Sequence, residues 1–286
     1  MNRPVPPGYP SRMTAPSGAR PLRALLLSAV LVLASACASA TFTQKEAATN
    51  QSLYEASLKA IKGKNWPKAA KGFEQLSFQL PARDPLLPLS YYYLGLAHKK
   101  QDEFILAAQA YSRVPENFPE DTLAAMATFE AGVSYASLWK RPDLDPDYGT
   151  TALSTFQSFL AAYPDSPLRD SAQKQIDRLL EMFARKNLET ADLYAVQGAW
   201  DSSIIYYRYV ITTYPTTPSY RQALLGLVKA YKAIAYRDDA VETCGILKQK
   251  FGMASDVKKA CGSLLKADTT AAPAPAAKPV AKPAAR

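Results

Sequence analysis

A sequence pattern recurs around four prolines of this chain. Pro81, Pro119, Pro164 and Pro215 each lie eight residues after an aromatic residue and twelve residues after a small one. The aromatic residues are Phe73, Tyr111, Phe156 and Tyr207, and the small ones are Ala69, Ala107, Ala152 and Ser203. Proline cannot continue a preceding helix, and a small residue lets two helices approach closely. The pattern therefore predicts helices that end at matched positions.

The repeat continues after the fourth proline. A fifth copy has Gly252 at the proline position, Cys244 at the aromatic position and Ala240 at the small position. Further upstream in each copy stands a second recurring site, occupied by Ser57, Gly95, Gly132, Ala191 and Val228. A period near 34 residues is typical of the tetratricopeptide repeat, in which two helices are joined by a tight turn. We therefore expect an all-α fold over residues 50–266, a right-handed superhelical solenoid of five tetratricopeptide-like helix hairpins with a C-terminal capping helix.

Two repeats depart from the regular length. The third has eight extra residues in its turn, around residues 139–147, where prolines and aspartates favour turns. In the fourth, nothing interrupts the helical pattern over residues 168–196, which predicts a helix of about 29 residues. Because a hairpin needs only about half of that length, the extension requires a partner within the chain or outside it.

The N-terminal segment, residues 1–36, has the pattern of an export signal. Its apolar run follows Arg23 and is too short for a permanent membrane-spanning helix. Small residues before Cys37 resemble the lipobox of bacterial lipoproteins, whose cysteine is acylated. We predict lipidation of Cys37, with residues 37–49 as anchor and tether, and Ala38 favours sorting to the periplasmic face of the outer membrane. Ordinary cleavage nearby, which would release a free secreted protein, is the alternative.

The basic charge of the chain is concentrated at its ends. Residues 267–286 are mainly alanine, proline and lysine without apolar periodicity, which predicts a disordered tail. The formal net charge is +9, but the leader and the tail together account for six of these charges. A basic face for nucleic acid is therefore not expected.

The sequence lacks the residue combinations of common catalytic sites. The single histidine, His98, takes a position that tyrosine occupies in three other copies, which favours a structural role. No Ser/His/Asp set, metal-spaced cluster or phosphate-binding glycine loop occurs. Asp143, Asp145 and Asp147 lack a fourth cation ligand in register, which favours a polar loop. We expect no enzyme activity, no cofactor and no metal site.

The first helices of the first three repeats carry apolar residues at positions that should face the concave side of a solenoid. These residues are Tyr54, Leu58, Tyr92, Leu96, Phe129 and Val133. They predict a groove for an extended apolar peptide segment. The alternative is that the rings pack against neighbouring helices, as aromatic residues often do. The same positions hold Asp192 and Lys229 in the last two repeats, which favours a polar, folded partner there.

Two stretches carry a family resemblance. DPDYGTTALSTFQSFLAAYPDSPLRDSA and FARKNLETADLYAVQGAW resemble the BamD family, lipoproteins of the outer-membrane β-barrel assembly (BAM) machinery. The resemblance covers about residues 54–251 and implies an outer-membrane assembly factor. In that family, the first repeats are thought to receive the C-terminal targeting segments of unfolded outer-membrane proteins. The last repeats hold the periplasmic domain of the barrel-forming subunit.

The Tyr-Pro-x-Ser phrase also occurs in other periplasmic repeat proteins. The alternative function is therefore an envelope lipoprotein that scaffolds Tol-type constriction or peptidoglycan synthesis complexes. Members of the BamD family often have an arginine six residues after the Gly-Ala-Trp segment, but this chain has Tyr206 there. Arg208 follows two residues later and points to another side of the helix. By resemblance, Trp200, Tyr206 and Arg208 form the candidate partner interface.

Cys244 and Cys261 lie on either side of the predicted final turn. Their midpoint falls between Gly252 and Met253, where the last repeat should pass into a closing helix over residues 254–266. If these helices are antiparallel, both cysteines reach the same height, and an exported protein meets an oxidising compartment. We therefore predict a disulfide between them, and two separate buried thiols are the alternative.

Overall fold

The computed structural model describes residues 41–267, which form helices and short connections without any strand in this range. The signal segment, Cys37 and the C-terminal tail lie outside the described residues. The chain divides into two compact units between Leu80 and Pro81. The first unit contains one helix hairpin, and the second contains four hairpins and a closing helix. The predicted all-α, five-hairpin architecture with a closing helix is therefore confirmed.

Eleven helices lie within the described range. They are α1 (Asn50–Lys62), α2 (Trp66–Gln79), α3 (Leu86–Lys99), α4 (Phe104–Asn117), α5 (Leu123–Leu138), α6 (Asp147–Ala162), α7 (Arg169–Val196), α8 (Trp200–Thr213), α9 (Ser219–Ala233), α10 (Arg237–Phe251) and α11 (Ser255–Ala267). In the second unit each helix packs on the next, and the first helices of successive hairpins also contact one another.

In the first unit, polar side chains define where both helices begin. The Thr49 hydroxyl accepts a hydrogen bond from the Ser52 backbone N–H, and Asn65 accepts one from the Lys68 N–H. Each side chain satisfies an amide that has no partner in the first helical turn. The starts of both helices of this hairpin are thus set by local sequence signals.

Residues 41–49, predicted as a tether, pack against this hairpin. The Phe42 ring lies close to Gly72, where an added Cβ would be 2.6 Å from the ring. Glu46 forms an ion pair of 3.2 Å with Lys68, whose ammonium group also lies 4.7 Å from the Phe42 ring centroid. The segment just before the first helix is therefore held to the hairpin by one ring and one ion pair.

The small and aromatic positions of the repeat meet inside the second and third hairpins. A Cβ added to Gly95 would lie 2.8 Å from the Tyr111 ring, and one added to Gly132 would lie 2.8 Å from the Phe156 ring. Side chains larger than hydrogen would overlap these rings, since protein interiors are close-packed. In these two hairpins, the sequence pattern therefore reflects a ring on the second helix that fills the space opposite a glycine of the first.

The long helix predicted in the fourth repeat is present as α7, with 28 residues. Ile176 and Leu179, in its first half, are buried with Phe156 of the third hairpin. Leu188 and Ala191, in its second half, are buried in a separate core with residues of α8 and α9. The extension therefore has its partner within the chain, and α7 joins two successive cores.

The insertion in the third repeat folds back over a buried tryptophan. Trp139 is fully buried and its ring centroid lies 4.5 Å from that of Phe183 on α7. Lys186, also on α7, donates hydrogen bonds to the backbone carbonyls of Pro142, at 3.2 Å, and Leu144, at 3.0 Å. Contacts from the long helix thus hold the loop.

The closing helix α11 is covalently joined to α10. Cys244 and Cys261 form a disulfide, with their Cα atoms 5.6 Å apart. Both cysteines and Val257 are buried in a core shared with α9 and α10. The predicted disulfide is therefore present in this structure, and the alternative of two separate buried thiols is wrong.

Candidate partner-binding surfaces

In the first unit, the two predicted groove residues differ in exposure. The Tyr54 ring is buried against Phe73, with 5.9 Å between ring centroids and edge-to-face geometry. Leu58, one turn further along α1, is half-buried. Tyr54 is thus part of the hairpin core, and Leu58 contributes the more accessible apolar surface of this pair.

In the second unit, the predicted groove residues of α3 and α5 are half-buried and lie on packed helices. The Tyr92 hydroxyl donates to the Met126 sulfur at 3.0 Å, which links α3 to α5. We call this surface the aromatic face, and its members are Tyr92, Leu96, Met126, Phe129 and Val133.

The rings of the aromatic face rest on the aromatic residues of the repeat pattern. Tyr92 lies 5.4 Å from Tyr111 in an edge-to-face contact, and Phe129 lies 5.6 Å from Phe156. Burial and then the nearby Glu130 carboxylate raise the pKa of Tyr92, so its hydroxyl stays protonated at neutral pH. The face is therefore a surface of half-buried rings and apolar side chains that packs on buried rings below it and is suited to apolar contact.

The predicted interface residues Trp200, Tyr206 and Arg208 all lie on α8 but engage different neighbours. The Tyr206 ring stacks on Tyr194 of α7, with centroids 5.5 Å apart and 20° between planes. Trp200 is half-buried, with the Lys229 ammonium group 6.0 Å from its ring. Burial raises the pKa of Tyr231 on α9, and the positive charge of the nearby Arg208 acts against this rise. Arg208 thus lies beside α9, whereas the Tyr206 ring contacts α7.

The end of α7 is anchored to α8 beside these residues. The Tyr207 hydroxyl donates to Asp192 at 2.5 Å. Burial, and then this hydrogen bond, raise the pKa of Tyr207 well above its ordinary value. Asp192 thus positions the end of α7 in addition to adding charge at the surface.

Comparison with known protein families gives one match over most of this chain. A family model described as YfiO, outer membrane lipoprotein, matches residues 46–244. The chain belongs to this family of outer membrane lipoproteins. The family model covers all the groove and interface residues described above and ends at Cys244, the first cysteine of the disulfide.

Two relatives of this lipoprotein family span most of the chain. The outer membrane protein assembly factor BamD of Vibrio cholerae is 26% identical and covers 69% of this chain and 85% of its own length. The BamD protein of Neisseria gonorrhoeae is 23% identical and covers 80% of this chain and 92% of its own length. Among solved structures, a TPR repeats protein from Bacteroides fragilis aligns with a TM-score of 0.47 and 12% identity, over 77% of this chain and 99% of its own.

Sequence reasoning missed three exposed apolar residues of this family member. Met126 is 43% exposed on α5, and Leu193 and Val196 are 56% and 85% exposed at the end of α7. A signal was available for the last two, because both fall outside the stripe of buried residues along α7. They extend the apolar surface at the end of the helix that carries Tyr194.

The polar residues weighed as catalytic or metal ligands have structural contacts. His98 Nδ1 lies 2.6 Å from a Glu103 carboxylate oxygen, across the turn between α3 and α4. Asp143 pairs with Arg141, and Asp145 accepts a hydrogen bond from the Asp147 N–H within the insertion. Within residues 41–267 no group of three or more histidine, cysteine or acidic residues is arranged to bind a metal ion. In the same range, every helix is too short or too polar to cross a membrane.

Proposed function

We propose that this lipoprotein is an outer-membrane assembly factor, a periplasm-facing scaffold that helps β-barrel outer-membrane proteins to insert and fold. The observation that carries the proposal is the family match across residues 46–244, supported by BamD relatives whose length is covered by 85% or more. The described contacts of the polar side chains are structural, which supports a binding role without catalysis.

The aromatic face is the proposed receptor for targeting segments of unfolded outer-membrane proteins. Leu96 and Val133 are aliphatic and half-buried, and they lie beside the half-buried rings of Tyr92 and Phe129. An extended segment with aromatic side chains would remove this apolar surface from water, at roughly 25 cal/mol per Å². Leu58 is proposed to serve the same class of segment on the first unit, whereas Tyr54 belongs to the buried core of that hairpin.

The proposed site for the barrel-forming subunit is the surface around Trp200, Tyr206 and Arg208. The stack of Tyr206 on Tyr194 presents a preorganised ring surface, and tyrosine and tryptophan supply large contact area in protein interfaces. Because Tyr206 has no charge, a partner carboxylate at this point would be left without an ion pair. We therefore propose an interface held mainly by aromatic contact.

Membrane attachment is proposed to occur through acylation of Cys37, which lies outside the described residues. Stable attachment by lipid requires more than one acyl chain or a second membrane contact. A Cys37→Ala variant should lose the mass of the acyl groups and leave the membrane fraction. A mass that differs from the natural chain by no more than the cysteine-to-alanine substitution would instead show ordinary cleavage and no lipid anchor.

The function is tested by affinity purification of the tagged protein from detergent-solubilised envelopes. We expect recovery of a β-barrel protein with periplasmic domains, reduced by Tyr206→Ala and unaffected by Tyr148→Ala, which removes a tyrosine that is 40% exposed on α6. Recovery of Tol components or peptidoglycan synthases alone would overturn the proposal and favour a constriction scaffold.

The aromatic face is tested by photo-crosslinking. A photoreactive residue at Leu96 should capture a synthetic peptide with the aromatic C-terminal end of a barrel protein, and the same residue at Leu144, an exposed leucine of the insertion, should not. Equal capture at both positions would show that the face has no such specificity.

A further inference from the structure

A cleft of about 400 Å³ lies between α9 and the closing helix α11, away from the aromatic face. Its lining residues are Leu225, Val228, Lys229, Lys232, Asp256, Lys259 and Ala260. Val228 is buried, whereas Leu225 and Ala260 are half-buried, so the floor is apolar. A volume of this size is at the lower end of ligand pockets and accommodates one large side chain.

The rim of the cleft is basic. Lys229, Lys232 and Lys259 are exposed, and among residues 41–267 none of the three forms an ion pair with a carboxylate. Lys232 donates to the Ala260 carbonyl at 3.3 Å and so spans from one wall to the other. Three ammonium groups around one hollow repel each other, and negative charge from a ligand would relieve that repulsion.

The one acidic residue of the lining is already engaged. Asp256 is 2.6 Å from the Arg221 guanidinium and accepts a hydrogen bond from the Val257 N–H at 3.0 Å. Desolvation acts to raise the pKa of Asp256, but the Val257 N–H and Arg221 together hold it below its ordinary value. Because Arg221 balances its charge, Asp256 does little to neutralise the three lysines.

The disulfide holds the cleft in shape. Cys261 follows the lining residue Ala260 directly, and its bond to Cys244 fixes α11 to the fifth hairpin. The wall formed by α11 is therefore attached covalently, although the helix closes the repeat array and has no further hairpin to pack on within the described residues.

We propose that this cleft binds an acidic peptide segment of a partner protein, with one apolar side chain on the floor and flanking carboxylates at the three lysines. The Lys229 ammonium group also faces the Trp200 ring, so the cleft is continuous with the α8 surface proposed above as an interface. The chain's own tail is a poor occupant, because residues 268–286 contain three basic residues and one acidic residue. A flat lipid surface would meet the lysines but could not fill the apolar hollow.

The test uses the purified full-length chain in detergent and a fluorescein-labelled nonapeptide with one central phenylalanine between runs of aspartate and glutamate. Fluorescence polarisation should show binding that weakens as salt is raised, since the contact is largely electrostatic. A peptide with lysine in place of the acidic residues, and one with serine in place of the phenylalanine, should each bind at least about fivefold more weakly.

Variants of the lysines locate the binding. Lys259→Glu should weaken binding of the acidic peptide by about fivefold or more, and Lys229→Glu in the same chain should weaken it further. Lys258→Glu is the matched control, because Lys258 is the exposed neighbour of Lys259 on α11 but does not line the cleft. Replacing both disulfide cysteines by alanine should also weaken binding.

Several outcomes would overturn the proposal. These are absence of binding at millimolar peptide, equal effects of Lys258→Glu and Lys259→Glu, and equal affinity for the serine and phenylalanine peptides. Displacement of the peptide by phosphatidylglycerol vesicles, without dependence on the phenylalanine, would assign the lysines to a lipid surface. The inference goes beyond the proposed function. Peptide binding is measured with the purified chain alone, so its result does not depend on which partner proteins are recovered from envelopes.

Discussion

The third and fifth hairpins use the same repeat position in different ways. In the third, the Phe156 ring fills the space opposite Gly132, and its core continues into α7. In the fifth, Cys244 stands at the equivalent position and is bonded to Cys261 of the closing helix. A covalent bond thus occupies the place of an aromatic ring where the array ends and fewer neighbours remain to pack on.

The two hairpins also begin their first helices differently. At α5, the Asp121 carboxylate accepts a hydrogen bond from the nearby Leu123 N–H at 2.8 Å. At α9, Glu181 of α7 accepts hydrogen bonds from the Ser219 N–H, at 3.1 Å, and hydroxyl, at 2.8 Å. The third hairpin is capped by its own loop, whereas the fifth depends on a side chain 38 residues away.

The largest effect is expected from removing the ring of the third hairpin. Phe156→Ala should lower the free energy of unfolding by about 3–5 kcal/mol, because it removes apolar contacts and leaves a cavity in a core that α7 shares. Urea denaturation followed by circular dichroism measures the change. Phe78→Ala, at a phenylalanine that is 76% exposed, should change it by less than about 0.5 kcal/mol. Equal effects of the two variants would show that the ring is not a core element.

A somewhat smaller effect is expected from the covalent bond of the fifth hairpin. Replacing Cys244 and Cys261 together by alanine should cost about 3 kcal/mol, since the bond closes a short loop with a sequence separation of 17. Thermal unfolding with and without dithiothreitol measures it. The reductant should lower the melting temperature of the natural chain and leave that of the variant unchanged. A natural chain that is insensitive to reductant would show that the bond does not stabilise the terminal helix.

The two caps provide a closer comparison. Glu181→Ala should lower the free energy of unfolding by about 1 kcal/mol, because it leaves the Ser219 N–H at the start of α9 without its partner. Asp121→Ala at α5 is the matched variant and should cost a similar amount. Hydrogen exchange should separate them, with faster exchange in α9 for the first and in α5 for the second. Faster exchange in the same helix for both variants would contradict this assignment.

The smallest effect concerns the ion pair between Arg221 and Asp256. The pKa of Asp256 is lowered in the folded protein, so its contribution to stability is present above the unfolded pKa of about 4 and is lost as pH falls through the lower folded value. The protection of the α11 amides from exchange, measured relative to their intrinsic exchange rates, should therefore fall at acidic pH and at high salt, since the pair is exposed. Asp256→Asn should remove this pH dependence. A variant that retained it would assign the dependence to another group.

Much of the fold could be predicted because the signals are local. Prolines, small residues and rings at constant spacing predicted the hairpins, and the uninterrupted pattern before Val196 predicted α7 almost to the residue. The cysteine pair was a geometric expectation from its position around one turn. These signals depend on residues close in sequence, where helical geometry sets which side chains meet.

The candidate surfaces were less predictable. The groove residues were identified as apolar positions, but their spacing cannot show that Tyr54 is buried while Leu58 stays accessible. Arg208 was grouped with Tyr206 by family resemblance, and helix geometry already placed it on another side of α8, but the sequence could not show that it lies near Tyr231 of the next helix. Exposure and direction depend on neighbours that are far away in the chain.

The amino-acid sequence alone determined the helices, their ends and the small-to-ring matching within the second and third hairpins, because these follow from backbone geometry and side-chain size over a few turns. Tertiary packing decided what the surplus length of α7 contacts, which side chain caps α9, how Lys186 holds the insertion and where three lysines surround an apolar hollow. Those contacts join residues about 20 to 45 positions apart, and such pairings are selected only when whole hairpins stack.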